Sequence, residues 1–287
     1  MSGVVSVREF RIDDLEAAGR FCEAARAGDP SVEPFSQRLG VIATGSRAAL
    51  ELWRVAEDEQ GVLHGIAFAA LRDSADRPVF EFYCAVDPSL RRQGLGRALS
   101  EPALTSGAVL RARVRDDGKA GSAFLRSLGF VETGAQLMLH WNGQKRIEAV
   151  PMPALRIRHG SAKDQALIER LSSEAWKGAP DAFASRAEEI AQLFGEEGRV
   201  VLIAESEGRA MGYLSGVQLG RTLGIEELAV LPEFRRMGIG RALVAQALSR
   251  EQGAVLSVGE SNKPARALYK SLGFTQTARR LIFEKRA

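Results

Sequence analysis

Two arginines and two glycines close together, Arg235-Arg236-Met237-Gly238-Ile239-Gly240, follow an apolar run ending at Val230 and a proline at position 232. Residues of these types at this spacing suit phosphate chemistry. Glycines admit dihedrals and a close backbone approach that a side chain forbids. The peptide N–H groups of such a turn converge on one concavity at the start of the next helix. That helix end carries roughly half a positive charge and unpaired donors, and the arginines add charge-assisted contacts. A bare glycine pair is also found in any tight strand-to-helix turn, but here the block occurs twice. Val86-Asp87-Pro88 leads into Arg91-Arg92-Gln93-Gly94-Leu95-Gly96-Arg97, and Gly96 precedes Gly240 by 144 residues. The dinucleotide fingerprint fails because Leu99 and Leu243 stand where its third glycine belongs, and no Gly-Lys-Ser/Thr follows as a Walker loop requires.

The elements that position these turns repeat at the same offset. Ser127-Leu128-Gly129-Phe130 returns as Ser271-Leu272-Gly273-Phe274, and Leu137-Met138-Leu139 as Leu281-Ile282-Phe283. A constant offset over separated blocks means two copies of one fold, each about half of the 287-residue chain. Each copy reads as a short strand, an amphipathic helix (from Leu15; from Gln165) and a hairpin turning at Gln60-Gly61 or Glu207-Gly208. A strand then enters the turn (Val79–Val86; Ile225–Val230), followed by its helix, a buried strand (Val109–Val114; Ala254–Val258), a second helix stopped at Gly129 or Gly273, and a closing strand. The polar, proline-containing stretch between Asn142 and Pro153 marks the boundary, giving domains 1–144 and 154–287.

Composition excludes several classes. With 45% hydrophobic and 26% charged residues the chain is of ordinary soluble, globular composition, and neither a membrane-length apolar run nor a signal-peptide pattern is present. Cys22 and Cys84 read as free thiols, and His64, His140 and His159 are too scattered to spell a metal site. A net charge of +3 without a basic, aromatic-laced run disfavours nucleic acid. The expectation is a cytoplasmic protein, monomeric or homodimeric, with no metal, membrane or nucleic-acid partner.

The second half continues with Asn262-Lys263-Pro264-Ala265-Arg266-Ala267-Leu268-Tyr269-Lys270-Ser271-Leu272-Gly273-Phe274. Together with the Arg-x-x-Gly-x-Gly turn, this pattern resembles the acetyl-CoA signature of the GNAT N-acetyltransferases, and the likeness in element order covers most of the chain. The resemblance implies an α/β fold of two tandem domains, each a mixed, splayed sheet flanked by helices, in an arrangement similar to the mycothiol-synthase type. It implies acetyl-CoA as co-substrate, its pantetheine arm inserted between the fourth and fifth strands against the backbone of Ala229 and Val230. Its diphosphate would rest on the turn formed by Arg235, Arg236, Met237, Gly238, Ile239, Gly240 and Arg241. Asn262 would contact the cofactor, and Tyr269 would donate a proton to the leaving thiolate. In the first half Val86, Arg91, Arg92, Gly94, Gly96 and Arg97 would play the phosphate-binding part, but Gly118 and Leu125 stand where Asn262 and Tyr269 do. That half reads as a degenerate duplicate.

Acetylating an amine needs a base, because ammonium has no lone pair. Glu226 and Glu227 precede the turn. Strict strand alternation puts them on opposite faces, with Glu226, sharing its face with Leu228 and Val230, preferred. Several family members place the acid two residues earlier, at Gly224 here; Glu81 is the nearest counterpart in the first half, displaced by one residue. Trp53, Trp141 and Trp176 read as core before substrate lining, and Ala179–Phe183 through Phe194 falls where the family places substrate-facing helices. The implied activity is transfer of acetyl to a primary amine of a small molecule; the alternatives are an aminoglycoside or protein N-terminus as acceptor, or a CoA-binding sensor without turnover.

Overall fold

A computed structural model describes residues 4–29, 52–73, 79–144, 147, 152, 154–177, 187–195 and 197–286. The elements in chain order are β1 (Ser6–Glu9), α1 (Leu15–Gly28), β2 (Arg54–Glu57), β3 (Leu63–Asp73), β4 (Val79–Val86), α2 (Leu95–Leu104), β5 (Val109–Arg115), α3 (Lys119–Ser127) and β6 (Val131–Trp141). They continue as β7 (Arg156–His159), α4 (Gln165–Trp176), α5 (Ala187–Gly195), β8 (Arg199–Ser206), β9 (Arg209–Leu219), β10 (Thr222–Val230), α6 (Ile239–Ala247), β11 (Gly253–Gly259), α7 (Lys263–Ser271) and β12 (Thr275–Lys285). The expected α/β repeat is present. Residues 179–186, and much of the expected connector, lie outside the described residues. None of the described helices is long and apolar enough to cross a membrane.

The chain forms two compact units, but they divide it differently from a cut at 144–154. One holds residues 1–135 and 280–287, the other 136–279. The first unit's sheet runs β1-β2-β3-β4-β5 and is closed by β12, whose Arg280–Lys285 pair antiparallel with β5. The second runs β7-β8-β9-β10-β11 and is closed by β6, whose Gln136–Trp141 pair with β11. Each closing strand therefore serves the sheet built from the other half of the sequence. The physical reason lies in the cores: Leu281 and Phe283 are buried with Phe82, Leu110 and Leu125, while Leu137, Leu139 and Trp141 are buried with Leu243, Leu256 and Phe274.

Helix ends follow the sequence signals. Gly129 and Gly273 take φ of 87° and 92°, a left-handed stop open to glycine. Beyond it the Phe274 N–H donates to the Tyr269 carbonyl at 3.0 Å, which fixes the end of α7 and sets Tyr269 edge-on to Phe274 with centroids 5.4 Å apart. Each unit also has one ion cluster between its first strand, first helical turn and second strand: Arg8 with Asp14 and Glu57 in one, Arg158 with Asp164 and Glu205 in the other. Cys22 is buried and free, and desolvation pushes its thiol up to about 11.

Candidate active site

The turn after β10 is built by two left-handed residues in one short loop. Arg236 has φ 64° and Gly238 φ 86°, and α6 starts at Ile239. A positive φ is costly for arginine; alternating it with a glycine curls successive N–H groups into an anion-binding nest at a helix start. The first unit keeps the same geometry, with Arg92 at 66° and Gly94 at 85° ahead of α2. The first arginine of each pair turns inward. Arg235 donates from Nε to the Val230 carbonyl (3.1 Å) and from Nη2 to the Ala175 carbonyl at the end of α4 (2.6 Å). Arg91 does likewise to the Val86 carbonyl and to Asp29. These guanidiniums brace the turn; Arg235 keeps exposed surface while doing so, and Arg236 and Met237 are exposed beside it.

Next to the turn the sheet opens. β10 pairs in parallel with β11 only from Thr222 to Ile225, while its pairing with β9 continues to Val230. The stretch containing Ala229 and Val230 thus has ladder partners on one side and a notch on the other. The first unit opens alike, its β4–β5 pairing running from Val79 to Glu81.

The strand carrying the two glutamates contains a β-bulge between Ile225 and Glu227, and this corrects the alternation argument. A bulge sets two residues of one strand against one of its neighbour and resets the side-chain phase. Leu223, Ile225, Leu228 and Val230 all pack with α6 and α7, whereas Ala229 packs with α4 and α5. Glu226 pairs with Arg199 Nη1 at 2.6 Å, and Arg199 lies on the same side of β8 as Val201, within the α4–α5 cluster. Glu227 Oε1 accepts from Ser172 Oγ (3.0 Å) and from Trp176 Nε1 (2.5 Å), both on α4. Both carboxylates therefore face α4 and α5, and Glu226 does not share a face with Leu228 and Val230. A cavity of about 240 Å³ bordered by Gly160, Ser161, Phe194, Arg199 and Val201 opens on this side.

The bulge also aligns the two units differently from the constant offset. Glu81 pairs with Ala70 and Arg111, as Gly224 pairs with Val217 and Val255, so Glu81 is the structural counterpart of Gly224. Glu81 is 8% exposed and salt-bridged to Arg113.

Tyr269 is 6% exposed, its ring in the α6–α7 cluster, and burial pushes its phenol well above the usual tyrosine range. Asn262 is the N-cap of α7, its Oδ1 accepting from the Ala265 N–H at 3.2 Å. Gly118 offers α3 no such cap, and Leu125 fills the first unit's core at 4% exposure. Of the tryptophans, Trp53 and Trp141 are core and Trp176 is at the site. Reading residues alone missed Trp176, Ser172 and Arg199 as partners of the glutamates. The one available signal was the apolar rhythm Leu223, Ile225, Leu228, Val230, which slips by one residue at the bulge.

Comparison with known proteins agrees with this geometry. Residues 167–274 match the acetyltransferase (GNAT) family and residues 49–132 a GNAT acetyltransferase domain. The chain is similar to the mycothiol acetyltransferase of Thermobifida fusca, with 28% identity covering 96% of this chain and 95% of that protein. It is also similar to an uncharacterized N-acetyltransferase of Archaeoglobus fulgidus, with 30% identity over 41% of this chain and 90% of that one. Among solved structures, a tandem GNAT protein from the clavulanic acid biosynthesis pathway aligns over 99% of this chain and 98% of its own, with a TM-score of 0.72 and 18% identity.

Proposed function

Because the chain belongs to the GNAT family of acetyltransferases, enzymes that transfer acetyl from acetyl-CoA to an amine, we propose that the second unit does this chemistry and that Glu227 is its base. The observation that carries the reading is a row of residues across each sheet. In the second unit the Gly160 N–H meets the Val201 carbonyl, Val201 pairs with Ser215, and Ser215 pairs with Glu227. In the first unit the Phe10 N–H meets the Trp53 carbonyl, Trp53 stacks on Phe68 at 4.6 Å and Phe68 on Tyr83 at 5.1 Å. Where one unit keeps small and polar residues around a carboxylate, the other is filled with rings.

The nest and the notch fit a ligand with a diphosphate and an amide-bearing arm. The nest N–H groups from Arg236 to Arg241 would hold the phosphates, and the notch-facing backbone at Ala229 and Val230 would pair with the arm as an added strand. Acetyl-CoA supplies the activated thioester when bound. Glu227 takes the proton that an ammonium acceptor must lose. Its Ser172 partner suits that task, because a hydroxyl donates to the carboxylate and can turn to accept from the carboxylic acid. At Glu226, by contrast, protonation would discard the ion pair with Arg199. Tyr269 gives its proton to the departing thiolate, and Asn262 holds the start of α7 that carries Tyr269. The first unit's turn is intact, yet its Gly118, Leu125 and ring-filled face support only weak CoA binding or a structural part there.

The acceptor is a small-molecule amine. The relatives matching over most of the chain carry the name mycothiol acetyltransferase, which puts that acceptor class first in the trial, although Gly224 stands where several family members have their acid. The test is thiol release from acetyl-CoA over an amine panel. One acceptor class is expected to turn over in the wild type and to be lost in Glu227→Gln. Turnover that survives in Glu227→Gln but not in Glu226→Gln would reassign the base.

A further inference from the structure

We propose that the last turn of α4 is the positioning element of the active site, with Trp176 and Ser172 as positioning residues that hold Glu227 in its working orientation relative to the cofactor turn. The inference rests on the reading of Glu227 as the base. Three contacts converge on five consecutive residues. Ser172 and Trp176 are four apart, hence on one face of the helix, and both donate to the same oxygen, Glu227 Oε1, at 3.0 and 2.5 Å. Between them the Ala175 carbonyl, at the helix C-terminal end where backbone acceptors lack intrahelical partners, takes Nη2 of Arg235 at 2.6 Å. Arg235 Nε also holds the Val230 carbonyl, the last residue of β10. One helical turn is thereby bonded both to the base and to the loop that holds phosphate.

A bulge residue needs such support. The ladder is interrupted at Ile225–Glu227, so the side chain there is not aimed by regular pairing on both sides. Ser172 is fully buried and Ala175 is 4% exposed, so the turn itself is fixed in the α4–α5 core. An indole N–H can only donate, so the contact with Trp176 fixes Glu227 Oε1 as the acceptor. Among the described residues, Glu226 with Arg199, and Arg235, are charged groups on this face and are paired as described; Tyr213 of β9 adds a buried phenol. Among the described residues the first unit shows a different arrangement. Its Arg91 reaches Asp29, beyond the end of α1, and Tyr83 stands in place of Glu227.

The test uses the full chain labelled with [15N]tryptophan, whose three indole resonances come from Trp53, Trp141 and Trp176, with Trp176→Phe giving the assignment. The Trp176 resonance is expected to move in Glu227→Gln, with those of Trp53 and Trp141 left in place. With the best amine of the panel, Trp176→Phe is expected to lower kcat about tenfold. Ser172→Ala should do the same to a smaller extent, and the KM for acetyl-CoA should stay within about twofold in both. If Glu227→Gln loses turnover while Trp176→Phe and Ser172→Ala keep the wild-type kcat, positioning by α4 is overturned and the base stands. If Glu227→Gln keeps turnover, the base reading falls and the inference with it. A Trp176 resonance indifferent to Glu227→Gln also overturns it.

Discussion

The two units share the glycine turn ahead of their central helix and differ in the row of residues that crosses the sheet beside it. Their turns have the same left-handed residues, their first arginines brace the same carbonyl position, and their Arg–Asp–Glu clusters are superimposable in kind. The row across the sheet, by contrast, reads Phe10, Trp53, Phe68, Tyr83 in one and Gly160, Val201, Ser215, Glu227 in the other. A left-handed turn of this kind is local, set by a few backbone dihedrals, so it can persist in a copy whether or not that copy uses it. An acceptor face is assembled from four strands and two helices. Once it is not required to hold a substrate, filling it with rings buries large apolar area and stabilises the fold. A binding motif in a duplicated domain is therefore weaker evidence of activity than the side chains across the sheet from it.

The sharpest way to break the comparison is to remove the ring stack. Trp53 is fully buried between Phe10 and Phe68; Trp53→Ala should cost about 3–5 kcal/mol, read as a lower denaturation midpoint. A loss below about 1 kcal/mol would show that the stack is not the first unit's keystone. The chemical side comes next. Tyr269→Phe keeps the ring against Phe274 and removes only the proton donor, so kcat should fall roughly 10²-fold with acetyl-CoA affinity little changed. Near-wild-type turnover would assign the leaving-group proton to another donor.

Cofactor binding separates the units at a smaller scale. Gly240→Asp adds a carboxylate in the first turn of α6, where its Cβ would meet the side chains of Leu268 (3.4 Å), Leu228 and Val230 at ordinary contact distances. It should weaken acetyl-CoA binding at least tenfold, about 1.4 kcal/mol, by calorimetry. Gly96→Asp is a poor mirror, because a Cβ there would press on Phe124 at 3.1 Å. The exposed Arg97 gives a cleaner one, and Arg97→Glu should leave turnover within about twofold; loss of activity in that folded variant would make the first unit functional.

The smallest effect concerns acid. The Arg158 guanidinium holds the Asp164 carboxyl down at about 2, and Arg8 holds Asp14 and Glu57 below their usual ranges. Carboxyls depressed in the folded state add stability that is complete above their unfolded values of about 4 and is lost as pH falls through the folded ones. Unfolding curves should thus weaken between about pH 4 and pH 2. Arg158→Met should flatten that fall and lower the stability already present at neutral pH. An unchanged slope would show that these clusters do not couple to folding.

Much of this was legible from the sequence because it is local. The nests at Arg236–Gly238 and Arg92–Gly94, the glycine stops at Gly129 and Gly273, and the eroded positions Gly118 and Leu125 follow from residue type and spacing. The face of Glu226 was not found because alternation was carried unbroken through a strand whose apolar residues slip phase after Ile225. The partners of the closing strands were hidden for a different reason. Leu137-Met138-Leu139 and Leu281-Ile282-Phe283 have the same alternating apolar character, so no local property says which sheet each completes. Trp176 was ambiguous because a half-buried tryptophan at a helix end fits a core and a site equally well until its hydrogen-bond partner is known.

The exchange of β6 and β12 gives the chain an assembly logic of its own. A cut through the connector would yield two fragments, each with a sheet missing its outermost member and each carrying the strand that the other lacks. The fragments would be complementary in the manner of a two-part lock, with β5 and β11 as the receiving edges. In an intact chain the same arrangement delays completion: β5 has no closing neighbour until β12 has been synthesised, more than 150 residues later, so the first unit is completed only after the core strands of the second have been made. Its unpaired edge is the place where a nascent chain is most exposed to the wrong strand.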